Sequence, residues 1–323
     1  MIQNPYSGKN LFEFLILFVQ RMGELLTGKL SLASLASDEV QVLVLALVAS
    51  SAATIGTFLV LKRITMLANS LSHTILVGIV VAYIVLLPWL PGAGAHAHGI
   101  SIEVLLGASL VTALLTTLLT HVLTHVLKLQ EDASIGLVFT TLFALGIVLV
   151  TVFTRSTHLG TEAIMGNVDA LHLDDLYLIF WVALIDFALI TLFFKEWKAT
   201  TFDPAFASAN GISSARYNHL LMIMTSLTVI GAFRAVGVLL VLSFLVAPVI
   251  TARLCTHRLK PLLLYANLIG IGSALISVAL SRHLLTVHRL PVSTSGLVVS
   301  MLGVVFLLVL ASRAVKAKMQ RID

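Results

Sequence analysis

Apolar residues run along this chain in blocks near twenty long, broken by short polar stretches. An α-helix needs about 20 such residues to cross the ~30 Å hydrocarbon core of a bilayer. The pattern predicts nine spans, near 41–61, 66–91, 103–127, 135–153, 176–194, 219–233, 236–252, 262–281 and 292–312. The sixth and seventh are short and meet at GAFRAVG, so they read equally as one broken or re-entrant helix, giving eight or nine spans. Non-helical backbone at membrane depth is tolerated only under cover of protein or a cavity. The expected fold class is an all-α polytopic membrane protein. Ahead of the first span, LFEFLILFVQ (11–20) is apolar but too short to span and is followed by Arg21, Glu24 and Lys29. It predicts an interfacial or buried helix. It does not read as a secretory signal: no basic stretch precedes it and no small-x-small site follows it. The expected organisation is an N-terminal segment over 1–40, a transmembrane domain over 41–312 and a basic tail over 313–323.

Composition strengthens this reading. The chain is 59% hydrophobic and 11% charged, against about 25% charged in soluble domains. Its one cysteine, Cys255, excludes an internal disulfide framework and any Cys-rich metal site. The net charge of +5 calls for no nucleic-acid partner, because basic residues gather in the cytoplasmic loops of membrane proteins. Of the 20 Lys and Arg residues, 13 fall after spans 1, 3, 5 and 7 or in the tail, and 4 fall in the opposite loops. That bias predicts a cytoplasmic C-terminus.

The polar residues inside apolar runs are the candidates for chemistry. In KRITMLANSLSHTILVG, Asn69 and His73 are four residues apart and therefore share a helix face. Counted from Lys62 and Arg63, His73 lies roughly 16 Å along a helix, near the membrane midplane. An Asn oxygen and an imidazole nitrogen placed so can converge on one ion, or can hydrogen-bond between helices. Asp186, in the middle of LYLIFWVALIDFALITLFF, is an intramembrane carboxylate and a functional candidate by default. A hydrogen bond to a neighbouring helix, or a protonated buried acid, is the alternative reading of it.

Other histidines and acids sit nearer the surfaces. His96 and His98 alternate in the outer loop after span 2, where imidazoles suit transition metals but also serve as polar caps. His121 and His125 share a face near the cytoplasmic end of span 3, without the glutamate of a HExxH site. Glu103, Glu162, Asp169, Asp174 and Asp175 fall on the outer side, where they attract cations or are simply solvated.

Two segments outside the spans carry helix-end signals. TFDPAFASANGI places Asp203 as a cap, Pro204 at the first helical position and Gly211 as a terminator, predicting a helix of about two turns. EDASIG puts Glu131 and Asp132 at the start of span 4, where the helix dipole favours acids. No GxxxxGK[ST] loop occurs, so ATP hydrolysis by the P-loop route is excluded.

Five segments in order resemble the metal-ion permeases of ATP-binding-cassette importers that work with a cluster A-I binding protein. They are KRITMLANSLSHTILVGIVVAYI, EDASIGLVFTTLFALGIVLV, TFDPAFASANGI, FRAVGVLLVLSFLVAPVITARL and LPVSTSG, and the resemblance extends over roughly 41–312. The resemblance implies a type II importer permease of the inner membrane, with a divalent Mn, Zn or Fe ion as substrate and no permanently bound cofactor. It implies three protein partners: a separate P-loop ATPase, an extracytoplasmic metal-binding protein, and a second permease, identical or paralogous. His73 matches the family's transport-site histidine, whereas Asn69 stands where the family usually has Asp. The site should then bind more weakly, or another acid, for which Asp186 is the candidate by its position in the membrane, must supply the charge. The segment carrying Asp203, Pro204, Ala207 and Gly211 resembles the coupling helix that fits a groove on the ATPase. Two other expectations stand beside this one. A proton-driven transporter would use Asp186 and His73 as a relay, and an intramembrane metalloenzyme would use His73, His121 and His125.

Overall fold

The computed structural model describes residues 4–86, 102–153 and 168–319. Its helices are α1 (Leu11–Leu26), α2 (Ser37–Lys62), α3 (Thr65–Leu86), α4 (Ile102–His125), α5 (Glu131–Phe153), α6 (Leu173–Leu192), α7 (Phe194–Phe202), α8 (Pro204–Ala209), α9 (Ser214–Val236), α10 (Val238–Cys255), α11 (Leu259–Val287) and α12 (Thr294–Met319). Each predicted span falls on one of them. Among the described residues, six helices are long and apolar enough to cross a membrane. GAFRAVG is a break of one residue: α9 stops at Val236 and α10 starts at Val238. Gly237 between them has φ +80, a left-handed conformation that glycine adopts without penalty. α7 lies between the fifth span and the predicted short helix, where the sequence pattern predicts no separate helix.

The chain divides into two compact units, the first made of Met1–Val60, Asn167–Ala188 and Ala235–Asp323. α2 is the hub of this unit, and ASSAATIG (49–56) lies buried along it. In lipid no hydrophobic force drives helices together, so close packing of small residues and interhelical hydrogen bonds carry association. That logic is visible at two glycines. A Cβ on Gly56 would collide with the backbone carbonyl of Leu245, and one on Gly270 would lie 3.2 Å from the Ala49 Cβ. Hydrogen bonds add to this packing, with Asn267 Nδ2 donating to Thr54 Oγ1 at 3.0 Å. α12 presents Leu307 and Leu308 outward, as a lipid-facing helix should.

The start of α2 ties down the N-terminal segment. Glu39 is fully buried and accepts from the Tyr6 hydroxyl at 2.7 Å, from the Ala36 amide at 2.7 Å and from the Arg21 guanidinium. Burial and then the Glu39 carboxylate push the Tyr6 hydroxyl well above the usual tyrosine range. Beside it, Asp38 pairs with Arg282 of α11 and accepts from Asn4 at 2.8 Å. In α1, Phe14 is buried while the apolar Phe12, Ile16 and Val19 stand exposed.

The second unit comprises Leu61–Gly166 and Leu189–Arg234. Here α3 packs against α4 and α5. Gly78 sits so close to Ala108 and Thr112 of α4 that any Cβ would clash with them. One turn away, Thr116 Oγ1 donates to Thr74 Oγ1 at 3.1 Å. α7 exists because Trp197 is fully buried. Its indole N–H donates to the Leu189 carbonyl at 3.3 Å and its ring meets Tyr217 edge-on at 5.2 Å. Lys62 completes this cluster, 6.0 Å above the Trp197 ring and donating to Asn218 Oδ1 at 2.6 Å.

Candidate functional site

The polar turn of α3 is the candidate site. The helix begins at Thr65 after Arg63, which holds φ +63. The turn at Arg63 interrupts the helix, so His73 lies about 12 Å into α3 rather than the ~16 Å counted from Lys62. Asn69 and His73 are both half-buried, and Ser70 and Thr74 between and beside them are buried. His73 is wedged between two rings of α5, Phe139 and Phe143, each with its centre 5.3 Å away. Such edge and tilted contacts fix the imidazole plane and exclude water from one side of it.

Two atoms of this turn stand out chemically. The Ser70 Oγ and the His73 Nδ1 are buried and have no hydrogen-bond partner among the described residues. Buried polar atoms are nearly always paired, and an unpaired one costs about 1–3 kcal/mol. Residues three apart on a helix are neighbours, so these two atoms and the Asn69 amide lie on one helical turn. An imidazole nitrogen and two neutral oxygens form a donor set suited to a divalent cation that is held weakly. Ser70 escaped the sequence reading because serine is common between helices and only its burial without a partner marks it.

Asp186 lies on α6, in the first unit. It is fully buried and accepts a hydrogen bond from Ser51 of α2. The carboxylate is therefore held by a hydroxyl from a neighbouring helix, the arrangement that intramembrane acids require. Among the described residues, no three of His, Cys, Asp and Glu gather closely enough to hold a metal ion. His96, His98 and Glu162 lie outside the described residues, as do the side chains of Glu103, His125 and Glu131. The acids Asp169 and Asp175 take structural parts: Asp169 accepts from Gln41 at 2.9 Å and from Thr294 at 2.6 Å, and Asp175 caps its helix through the His172 amide at 3.0 Å.

The predicted short helix forms as α8. Asp203 accepts from the Phe206 amide at 2.9 Å, with Pro204 at the first position. At the other end, Gly211 holds φ +77, and the amides of Gly211 and Ile212 bond the carbonyls of Ser208 at 3.1 Å and Ala207 at 2.9 Å. That is a Schellman closure, which needs a left-handed residue at this position. Ala207 is fully buried and seats the helix, while Phe202 and Phe206 stand exposed at 55% and 60%.

Comparison with known proteins now adds to this geometry. The ABC 3 transport family matches residues 39–313. A Chlamydia muridarum protein named "Probable metal transport system membrane protein" is 39% identical over 96% of this chain and 94% of its own length. The manganese transport system membrane protein MntD of Bacillus subtilis is 35% identical over 80% of this chain and 86% of its own. Among solved structures, PsaBC from Streptococcus pneumoniae in complex with Fab is similar in fold. Its TM-score is 0.70 at 24% identity, over 89% of this chain and 95% of that one. On these grounds the chain belongs to the ABC 3 transport family and is a multi-pass membrane permease of the ABC transporter class.

Proposed function

We propose that this permease carries manganese or zinc inward across the membrane, and that the polar turn of α3 is a stopping point on the ion's route. The observation that carries this reading is the pair of buried, unpartnered atoms, Ser70 Oγ and His73 Nδ1, beside Asn69. An incoming cation supplies the partner that both atoms lack. Manganese is named for the Bacillus relative, and imidazole with oxygen donors accommodates zinc as well. Asn69 contributes a dipole and no charge, so the site binds loosely and releases readily, as transport requires. Asp186 is the intramembrane carboxylate that offsets the cation's charge on its way.

The driving force comes from a separate P-loop ATPase, because this chain has no phosphate-binding loop. α8 is the contact with it. Exposed aromatic side chains on a surface helix are typical interface anchors, and Phe202 and Phe206 are of that kind. An extracytoplasmic binding protein delivers the ion, a second permease, identical or paralogous, completes the path, and the C-terminus lies in the cytoplasm, as the 13-to-4 bias of basic residues implies.

The test is metal uptake by the complex of this chain with its ATPase in proteoliposomes, with a His73→Ala variant. Loss of uptake with ATPase binding retained supports the reading; wild-type uptake by the variant sinks the α3 site.

A further inference from the structure

A second histidine pair lies elsewhere in the same unit. His121 of α4 and His219 of α9 face each other with ring centres 5.8 Å apart and planes at 61°. They share a groove of about 580 Å³ whose other walls are mostly leucine, valine and methionine side chains of α4 and α9. We propose that these two imidazoles form a binding site for a divalent transition metal at the cytoplasmic end of the unit, where the transported ion is released. This rests on the metal-transport reading above.

Geometry is the first argument. With N–metal bonds of about 2.0–2.1 Å and each nitrogen about 1.1 Å from its ring centre, two imidazoles on one ion hold their centres roughly 5–6.5 Å apart. The observed 5.8 Å falls inside that range. Edge-on ring packing explains the distance equally well, but it does not explain the choice of residue. A phenyl ring would fill an apolar groove without the cost of placing a polar ring there. Thr117 of α4 and Ser226 of α9 also line the groove.

Position is the second argument. His121 lies one turn before the end of α4, and His219 lies in the second turn of α9. The segments beyond both ends, at Lys128 and at 203–213, are on the side that the basic residues mark as cytoplasmic. α9 follows α8 after a turn of four residues, so His219 rides on the helix joined directly to the proposed ATPase contact. Movement of α8 would shift one ligand against the other and lower the affinity at the moment of release. Two neutral nitrogens give a weak site with zinc held more tightly than manganese, which suits an exit point.

Zinc titration by calorimetry of the full-length chain in lipid nanodiscs tests this. The His121→Ala and His219→Ala variants should each weaken one zinc equivalent by at least about tenfold, and His73→Ala should leave that equivalent in place. A His121→Cys/His219→Cys double variant, made with Cys255→Ser, should bind cadmium with thiolate charge-transfer absorption stronger than either single-cysteine variant shows. Zinc isotherms unchanged in either alanine variant, or no gain from the cysteine pair, would overturn the site. The two readings fail separately. A wild-type complex that takes up neither manganese nor zinc refutes the importer reading, whereas unchanged isotherms in a working importer refute this site alone.

Discussion

Asp186 of α6 accepts its hydrogen bond from Ser51 of α2, 135 residues away in sequence, and both side chains are buried. A buried hydrogen bond of this kind contributes about 0.5–1.5 kcal/mol, and removing the acceptor loses that contribution. Asp186→Ala should therefore lower thermal stability in detergent, whereas Asp186→Asn keeps an acceptor and should unfold close to wild type. The two variants also separate structure from function. If the carboxylate charge serves the ion, Asp186→Asn stays folded and loses transport. Normal transport by Asp186→Asn would reduce Asp186 to a packing residue.

Asn69 offers the converse experiment. Asn69→Asp places a full negative charge four residues from His73, on the same helix face. A gain of about 1.4 kcal/mol or more in cation binding, roughly tenfold in affinity, is expected. Metal titration of the variant should show tighter binding, and transport should slow if release becomes limiting. Unchanged affinity would mean that Asn69 does not face the ion.

α8 depends on its two ends. Asp203→Ala removes the cap and should cost about 1 kcal/mol locally. Gly211→Ala forces a side chain into the left-handed region at a cost of about 1–2 kcal/mol. Neither residue belongs to the metal site, so both variants should retain zinc binding while ATP-driven uptake falls. Phe206→Ala should weaken association with the ATPase in a pull-down while leaving the helix intact.

Close approach between helices sets a further limit. Gly56→Ala pushes a methyl group into the Leu245 carbonyl, where backbone cannot easily yield. Overpacking of this kind costs about 1–3 kcal/mol, and the melting temperature of the purified protein should drop. In contrast, Gly303→Ala adds a methyl group to open space and should be silent.

Much of this architecture was legible in the chain. Apolar block length revealed the helices, GAFRAVG flagged an interruption that the structure places at Gly237, Gly211 marked a helix end, and Asp203 with Pro204 announced α8. What stayed hidden depends on long-range contact. FKEWKATTF is helical because Trp197 is buried against Tyr217, which local polarity does not foretell. Arg282 counted as a loop charge, yet it pairs with Asp38, 244 residues away. The partner of His121 likewise proved to be His219 on another helix, since helical spacing identifies neighbours only within one helix. Ser70 became a candidate only when its hydroxyl proved buried and unpartnered.

The most direct test of the central claim is uptake of manganese and zinc into proteoliposomes holding this permease with its ATPase and binding protein, comparing wild type with His73→Ala. The account predicts ATP-dependent accumulation for wild type. It predicts a loss of at least about tenfold for His73→Ala, with ATPase association unchanged. Equal accumulation by the two would contradict it.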